Sequence, residues 1–174
     1  VWHRMANLTG EEKYREHANR LFWETSDKLW DAETGLTYRD RTYIVQPDGM
    51  QLREVNGEKV FWGRGNGWLV GALCLVLDQL PEKHPERPRY EARLKTLLAS
   101  LAKLQQPTGL WPTSLLDKAG YPMGDTSATT LFAYGYAWAL NRGLLDKAAY
   151  LPVALKAWAA SVACVDEHGR LTYV

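Results

Sequence analysis

Apolar residues recur at helical spacing in two kinds of segment. In the first kind they form a stripe on an otherwise polar helix. Tyr14, Ala18, Leu21, Phe22 and Leu29 do so across residues 8–30, and Tyr90, Leu94, Leu97, Leu98, Leu101 and Leu104 across 89–105. A further helix over 150–164 starts near Pro152, which a first turn tolerates. In the second kind nearly every position is apolar or small, as in 66–80 and 127–142. Such helices belong in a core. Thr9 is placed to cap the first helix, and Asp125-Thr126-Ser127 offers caps for the one at 127. Residues 41–59 alternate weakly, and Pro47-Asp48-Gly49 and Asn56-Gly57 mark turns, the latter a short hairpin.

The pattern repeats. Tyr14, Tyr90 and Tyr150 each open a helix that runs to a glycine, Gly35, Gly109 and Gly169, followed by a short extended tail. Self-similarity on this scale marks a repeat architecture. Each unit pairs an amphipathic helix with a more apolar one, so the amphipathic helices form an outer layer and 66–80 and 127–142 an inner one. The expected fold class is all-α: an α/α toroid of helical hairpins, with about three of six hairpins present in residues 1–174. Val1-Trp2-His3-Arg4-Met5 reads as the end of a helix already under way. The apolar, aromatic helix 127–142 is expected to exceed what three hairpins can cover, which predicts a homodimer through exposed inner-helix flanks, or poor solubility.

Composition narrows the partners. A net charge of +1 with no basic cluster argues against nucleic acid. No apolar run reaches the roughly 18–20 residues of a membrane span, and no stretch reads as a signal peptide. Compartment stays open between cytoplasm and periplasm. Cys74 and Cys164 lie in apolar segments and read as buried thiols, with a disulfide between them the alternative. His3, His17, His84 and His168 lack metal-ligand spacing and read as surface residues; no metal or cofactor is expected. Eight tryptophans and nine tyrosines stand against three phenylalanines, a balance that suits carbohydrate sites.

The candidate chemistry centres on Trp62-Gly63-Arg64-Gly65-Asn66-Gly67-Trp68, read as a glycine-rich loop opening into a core helix. Glycine admits a ligand close to backbone, tryptophan stacks on sugar rings, and arginine forks a carboxylate. An anionic sugar fits this set. Each residue also has a structural reading. Arg64 could form an internal salt bridge, Asn66 a helix cap and Trp68 core. Trp111 could face the barrel mouth or the core, and Thr126 and Ser127 could be caps or site residues.

Trp62 to Trp68, together with Thr34-Gly35-Leu36, Gly109-Leu110-Trp111 and Thr126-Ser127 before Phe132-Ala133-Tyr134-Gly135-Tyr136-Ala137-Trp138, resembles glycoside hydrolase family 105, the unsaturated rhamnogalacturonyl and glucuronyl hydrolases. The resemblance implies a six-hairpin (α/α)6 barrel and an unsaturated oligosaccharide substrate. It also implies removal of a 4,5-unsaturated uronic acid from the non-reducing end of lyase-generated, pectin-type fragments. In that chemistry an aspartic acid protonates the vinyl ether at C4 and water adds at C5. The family's aspartate precedes the segment matching Val1-Trp2, so the general acid is expected upstream of Val1 and the catalytic residue here is unknown. The substrate-binding candidates are Trp62, Arg64, Asn66, Trp68, Trp111, Thr126 and Ser127, with Arg39 where many members place a sugar-contacting histidine. A carbohydrate-binding domain without catalysis and a protein-binding scaffold are the rival classes.

Overall fold

A computed structural model describes residues 1–173. Its helices are α1 (Trp2–Thr9), α2 (Lys13–Leu29), α3 (Gly63–Gln79), α4 (Arg87–Ala102), α5 (Thr126–Asn141) and α6 (Lys147–Ala163). Two two-residue strands, β1 (Trp30–Asp31) and β2 (Leu36–Thr37), pair antiparallel. The helices form three hairpins, α1–α2, α3–α4 and α5–α6; α3 packs against both α1 and α5, giving the inner layer. Arg89 and Arg93 of α4 pair with Asp27 of α2, tying two outer helices together. The all-α expectation and the three hairpins hold.

Four boundaries differ from expectation. The helix over 8–30 is broken: Gly10, at φ 75°, ends α1. Thr9 lies in the last turn of α1 and donates to the Met5 carbonyl instead of capping α2. Asp146 caps α6, accepting from the Ala149 N–H, so Pro152 sits inside the helix and not in its first turn. Asp125 caps α5, which moves Thr126 and Ser127 into the first turn. Finally, α3 starts at Gly63, so the glycine-rich motif is helix and not loop.

That last correction has a packing cause. A Cβ on Gly67 would stand 3.0 Å from Leu131 of α5, and one on Gly63 2.9 Å from the Pro112 carbonyl oxygen. From the other side, a Cβ on Gly135 of α5 would meet Val70 Cγ1 at 2.1 Å. These glycines admit a neighbouring helix and loop, where a ligand was expected. Gly65 faces none of this crowding.

The repeat glycines Gly35, Gly109 and Gly169 all take positive φ, which closes a tight turn after each outer helix. Gln106 and Asp166 each donate to the carbonyl four residues on, across the glycine. The segment between β2 and α3 uses the same turn twice, at Gly49 and Gly57, and the second forms the expected hairpin, bridged at Arg53 and Lys59.

The core lies between the layers. Phe132 and Tyr136 of α5 are fully buried and Trp138 nearly so, while Tyr134 stays 41% exposed, so three hairpins leave part of this helix uncovered, as expected. Tyr136 donates to the Leu98 carbonyl and Trp138 Nε1 to Asp78. Both cysteines are buried free thiols, and burial pushes Cys74 up to about 12. His3 is buried too, against the surface reading, with Nε2 on the Asn19 amide oxygen. No helix among the described residues is long and apolar enough to cross a membrane.

One uncovered apolar surface lies between α5 and α6. Leu155 and Trp158, the latter 65% exposed, line a cleft of about 590 Å³ with Tyr134, Ala137 and Leu151. In a solution of this chain alone, the apolar surface available to cover it belongs to a second copy. Sedimentation at micromolar concentration is expected to show self-association, and Trp158→Lys to abolish it; a wild-type monomer at all concentrations would contradict this.

Candidate functional site

The N-terminal ends of α3 and α5 are brought together by strand-like pairing of the loops around them. Gly63 N–H donates to the Thr113 carbonyl (2.7 Å), Leu115 N–H to the Phe61 carbonyl (2.8 Å), and Asp125 N–H to the Trp111 carbonyl (2.7 Å). Thr126 reaches Tyr173 and Thr172 through its N–H and hydroxyl. The connections from all three hairpins therefore meet at one end of the inner layer.

Arg64 projects from the first turn of α3. Its Nε lies 3.7 Å from Asp125 Oδ2, an ion pair too long for a hydrogen bond. Asp125 is 2% exposed, and its Oδ1 accepts from the Ala128 N–H (2.9 Å) and the Ser127 hydroxyl (2.6 Å). The Arg64 side chain keeps 37% of its surface and makes no hydrogen bond to a described residue. The internal salt bridge thus exists, and it leaves the guanidinium fork free. Arg39 Cζ stands 4.4 Å from the Trp62 ring centroid and Arg64 Cζ 5.8 Å, so two guanidinium groups lie near one indole. Arg39 has a weak partner in Asp40, at 3.6 Å.

Trp68 stands one turn beyond Arg64 on the same face of α3 and is 67% exposed, which removes the core reading. The i, i+4 spacing of Arg64 and Trp68 was the sequence signal for this pairing. Trp111, by contrast, is fully buried with Nε1 donating to the Leu101 carbonyl, so it belongs to the core and not to the mouth. Asn66 is buried inside α3 and caps nothing. It accepts from the Thr37 N–H and donates to the Thr37 and Trp62 carbonyls, pinning β2 to the helix. Thr126 is fully buried, while Ser127 is half-buried and holds Asp125. Arg39, Trp62, Arg64, Trp68 and Ser127 are therefore reachable from solvent, and Asn66, Trp111 and Thr126 support them from beneath. No group of three metal-ligating side chains occurs among the described residues.

A second ion pair, invisible in the sequence, fixes the hairpin beside this mouth. Lys59 Nζ meets Asp31 Oδ2 at 2.7 Å and Glu33 Oε2 at 2.6 Å. Burial works to raise Asp31, but hydrogen bonds from Lys59, the Thr34 N–H and the Tyr38 hydroxyl outweigh it and bring its pKa down to about 2. Lys59 is raised by the same pair.

Residues 1–174 match the family model of Glycosyl Hydrolase Family 88. The chain belongs to that family. It is 38% identical over 169 residues to an unsaturated 3S-rhamnoglycuronyl hydrolase of Formosa agariphila, covering 97% of this chain and 45% of that protein. A glycosyl hydrolase family 88 structure from Bacteroides vulgatus superposes with TM-score 0.93 at 36% identity, covering all of this chain and 49% of that one. A structure titled a polysaccharide lyase gives 0.91 at 38% identity, covering 99% and 48%. The family 88 chain thus spans about half the length of the relatives it matches, consistent with about half of an α/α toroid.

The Asp31–Lys59 pair gives a pH prediction. Because Asp31 is depressed in the folded state, its stabilisation is complete above its unfolded pKa near 4 and is lost as pH falls toward 2. Lys59→Met is expected to cost about 1–3 kcal/mol at pH 7 and to flatten the acid limb between about pH 4 and pH 2. Urea melts across that range check it; an unchanged acid limb would contradict the pairing.

Proposed function

We propose that this chain supplies the uronate-recognising half of a glycoside hydrolase that removes a 4,5-unsaturated uronic acid from the non-reducing end of lyase-generated oligosaccharides. The observation that carries the reading is the Arg64 fork, oriented by buried Asp125 and left open toward solvent beside Trp62 and Trp68. Arg64 takes the uronate carboxylate, Trp68 lies along the sugar face, and Arg39, over the Trp62 ring, adds positive charge. The Formosa relative's name supports an unsaturated, rhamnose-linked uronyl substrate. Hydration of the vinyl ether needs a proton delivered to C4 before water adds at C5. Asp125 does not supply it, because its oxygens are committed to Ala128, Ser127 and Arg64. We place the general acid outside residues 1–173, where the resemblance to family 105 implies it.

The lyase-titled neighbour raises one other reading, in which the site creates the double bond instead of consuming it. The two predict opposite changes in the ultraviolet absorbance of the unsaturated sugar. Incubated with an unsaturated uronyl disaccharide, the 174-residue chain is expected to bind without turnover. Arg64→Lys should weaken that binding about tenfold or more, since a bidentate charge-assisted bond is worth roughly 1.5–3 kcal/mol and lysine lacks the fork. Turnover at an enzyme's rate would refute the assignment of the acid. A rise in absorbance with a saturated polysaccharide would favour the lyase.

A further inference from the structure

Of the six helices, α1 is held by the least. It has eight residues, too few for a helix to persist by itself in water, and only His3 and Ala6 of it are buried. At its C-terminal end Asn7 donates to the carbonyl and the side chain of Gln79 on α3, through exposed bonds of 3.0 and 3.2 Å. Near its start, His3 enters a polar seat made by α2 and α4. His3 Nε2 lies 3.0 Å from Asn19 Oδ1, and the Tyr90 hydroxyl donates to the same oxygen at 3.0 Å. An amide oxygen only accepts, so His3 donates through Nε2–H. His3 is 7% exposed and both partners are buried, so this bonded triad joins three helices away from water. The chemistry proposed for the Arg64 mouth makes no use of it.

We propose that His3 makes the docking of α1 sensitive to pH: the neutral imidazole seats the helix, and the imidazolium formed in mild acid is expelled from the seat and releases it. An imidazolium there has no anion to meet. The charges acting on it are positive, namely Arg15 of α2, the Val1 amine of α1 and His84 of the α3–α4 connection. The nearby carboxylates are engaged elsewhere. Glu12 lies 2.9 Å from Arg15 and 3.5 Å from His84, Glu86 at the start of α4 lies 4.0 Å from Arg89, and Asp78 of α3 accepts from Trp138 and Arg142. Tyr90 of α4 is kept neutral by burial. Burial foremost, and then these positive charges, hold His3 below its usual value of 6.5 and outweigh the bond to Asn19. An undocked or unfolded His3 takes up its proton near pH 6.5, whereas the seated one does so only at lower pH. Between those values the undocked state binds more protons, so docking is fully stable above 6.5 and weakens as pH falls below it. With so few other contacts holding α1, that loss appears as local release and not as global unfolding.

Amide hydrogen exchange on the intact chain at about pH 7 and about pH 5, corrected for intrinsic exchange rates, tests this. In wild type the protection of residues 5–10 is expected to fall about tenfold or more between the two conditions, while α3 to α5 change by less than about twofold. His3→Gln keeps a donor for Asn19 and takes up no proton, so its α1 should change by less than about twofold. His17→Gln and His84→Gln remove the other imidazoles near α1 and should respond as wild type does. Titration of the His3 Cε1–H resonance in wild type decides the matter even where His3→Gln fails to seat α1 at neutral pH; its midpoint is expected below 6.5. Equal protection of wild-type α1 at both pH values, a response that survives in His3→Gln, or a His3 midpoint at or above 6.5 would each overturn the proposal.

Discussion

The close approach of α3 and α5 is the constraint on which the rest depends. Gly67 and Gly135 lie where a side chain would strike Leu131 and Val70, and Gly63 lies against the Pro112 carbonyl. Side chains at these positions would push the helices apart by overpacking. Separation would break the short bonds joining the loops in front of them, Gly63 to Thr113 and Asp125 to Trp111. It would also carry Asp125 away from Arg64, since one belongs to the cap of α5 and the other to the first turn of α3. Helix packing and site geometry are thus one arrangement.

Around that contact, buried polar groups hold what the glycines bring near. Asn66 uses its amide on Thr37 and Trp62, so β2 and the residue after Tyr38 are fixed relative to α3. Arg39 consequently lies over the Trp62 ring. Lys59 anchors the hairpin to Asp31, which keeps the opposite side of the mouth in register. The reachable residues are few, and nearly all the supporting ones are buried and hydrogen-bonded, as a preorganised site requires.

Much of the fold was legible because helical periodicity and repeat glycines are local signals. The turn at Gly109 and the turn at Gly169 look alike in sequence because both require positive φ. Boundaries were less legible where chemistry competes: Gly10 breaks what periodicity alone joins, and Asp125 takes the cap for which Thr126 and Ser127 also have the chemistry. The site was read from residue types whose roles depend on the third dimension. Arg64 and Trp68 are reachable, whereas Trp111 has the same chemistry and is enclosed between α4 and α5. The glycines of the central motif carried the deepest misreading, because close approach to a ligand and close approach to a helix require the same residue. Nothing in the sequence marked Lys59 as the partner of Asp31, since they are far apart along the chain and meet through the folded hairpin.

The central claim is that Arg64, held by Asp125, receives the uronate carboxylate. The most direct measurement is the Nε–H resonance of Arg64 in ¹⁵N-labelled protein, followed during titration with an unsaturated uronyl disaccharide and with its methyl ester. The account predicts a saturable shift of that resonance with the free acid and none with the ester, and loss of the response in Asp125→Asn, whose amide no longer orients the guanidinium by charge. An Arg64 resonance that ignores the acid, or answers the ester equally, would contradict it.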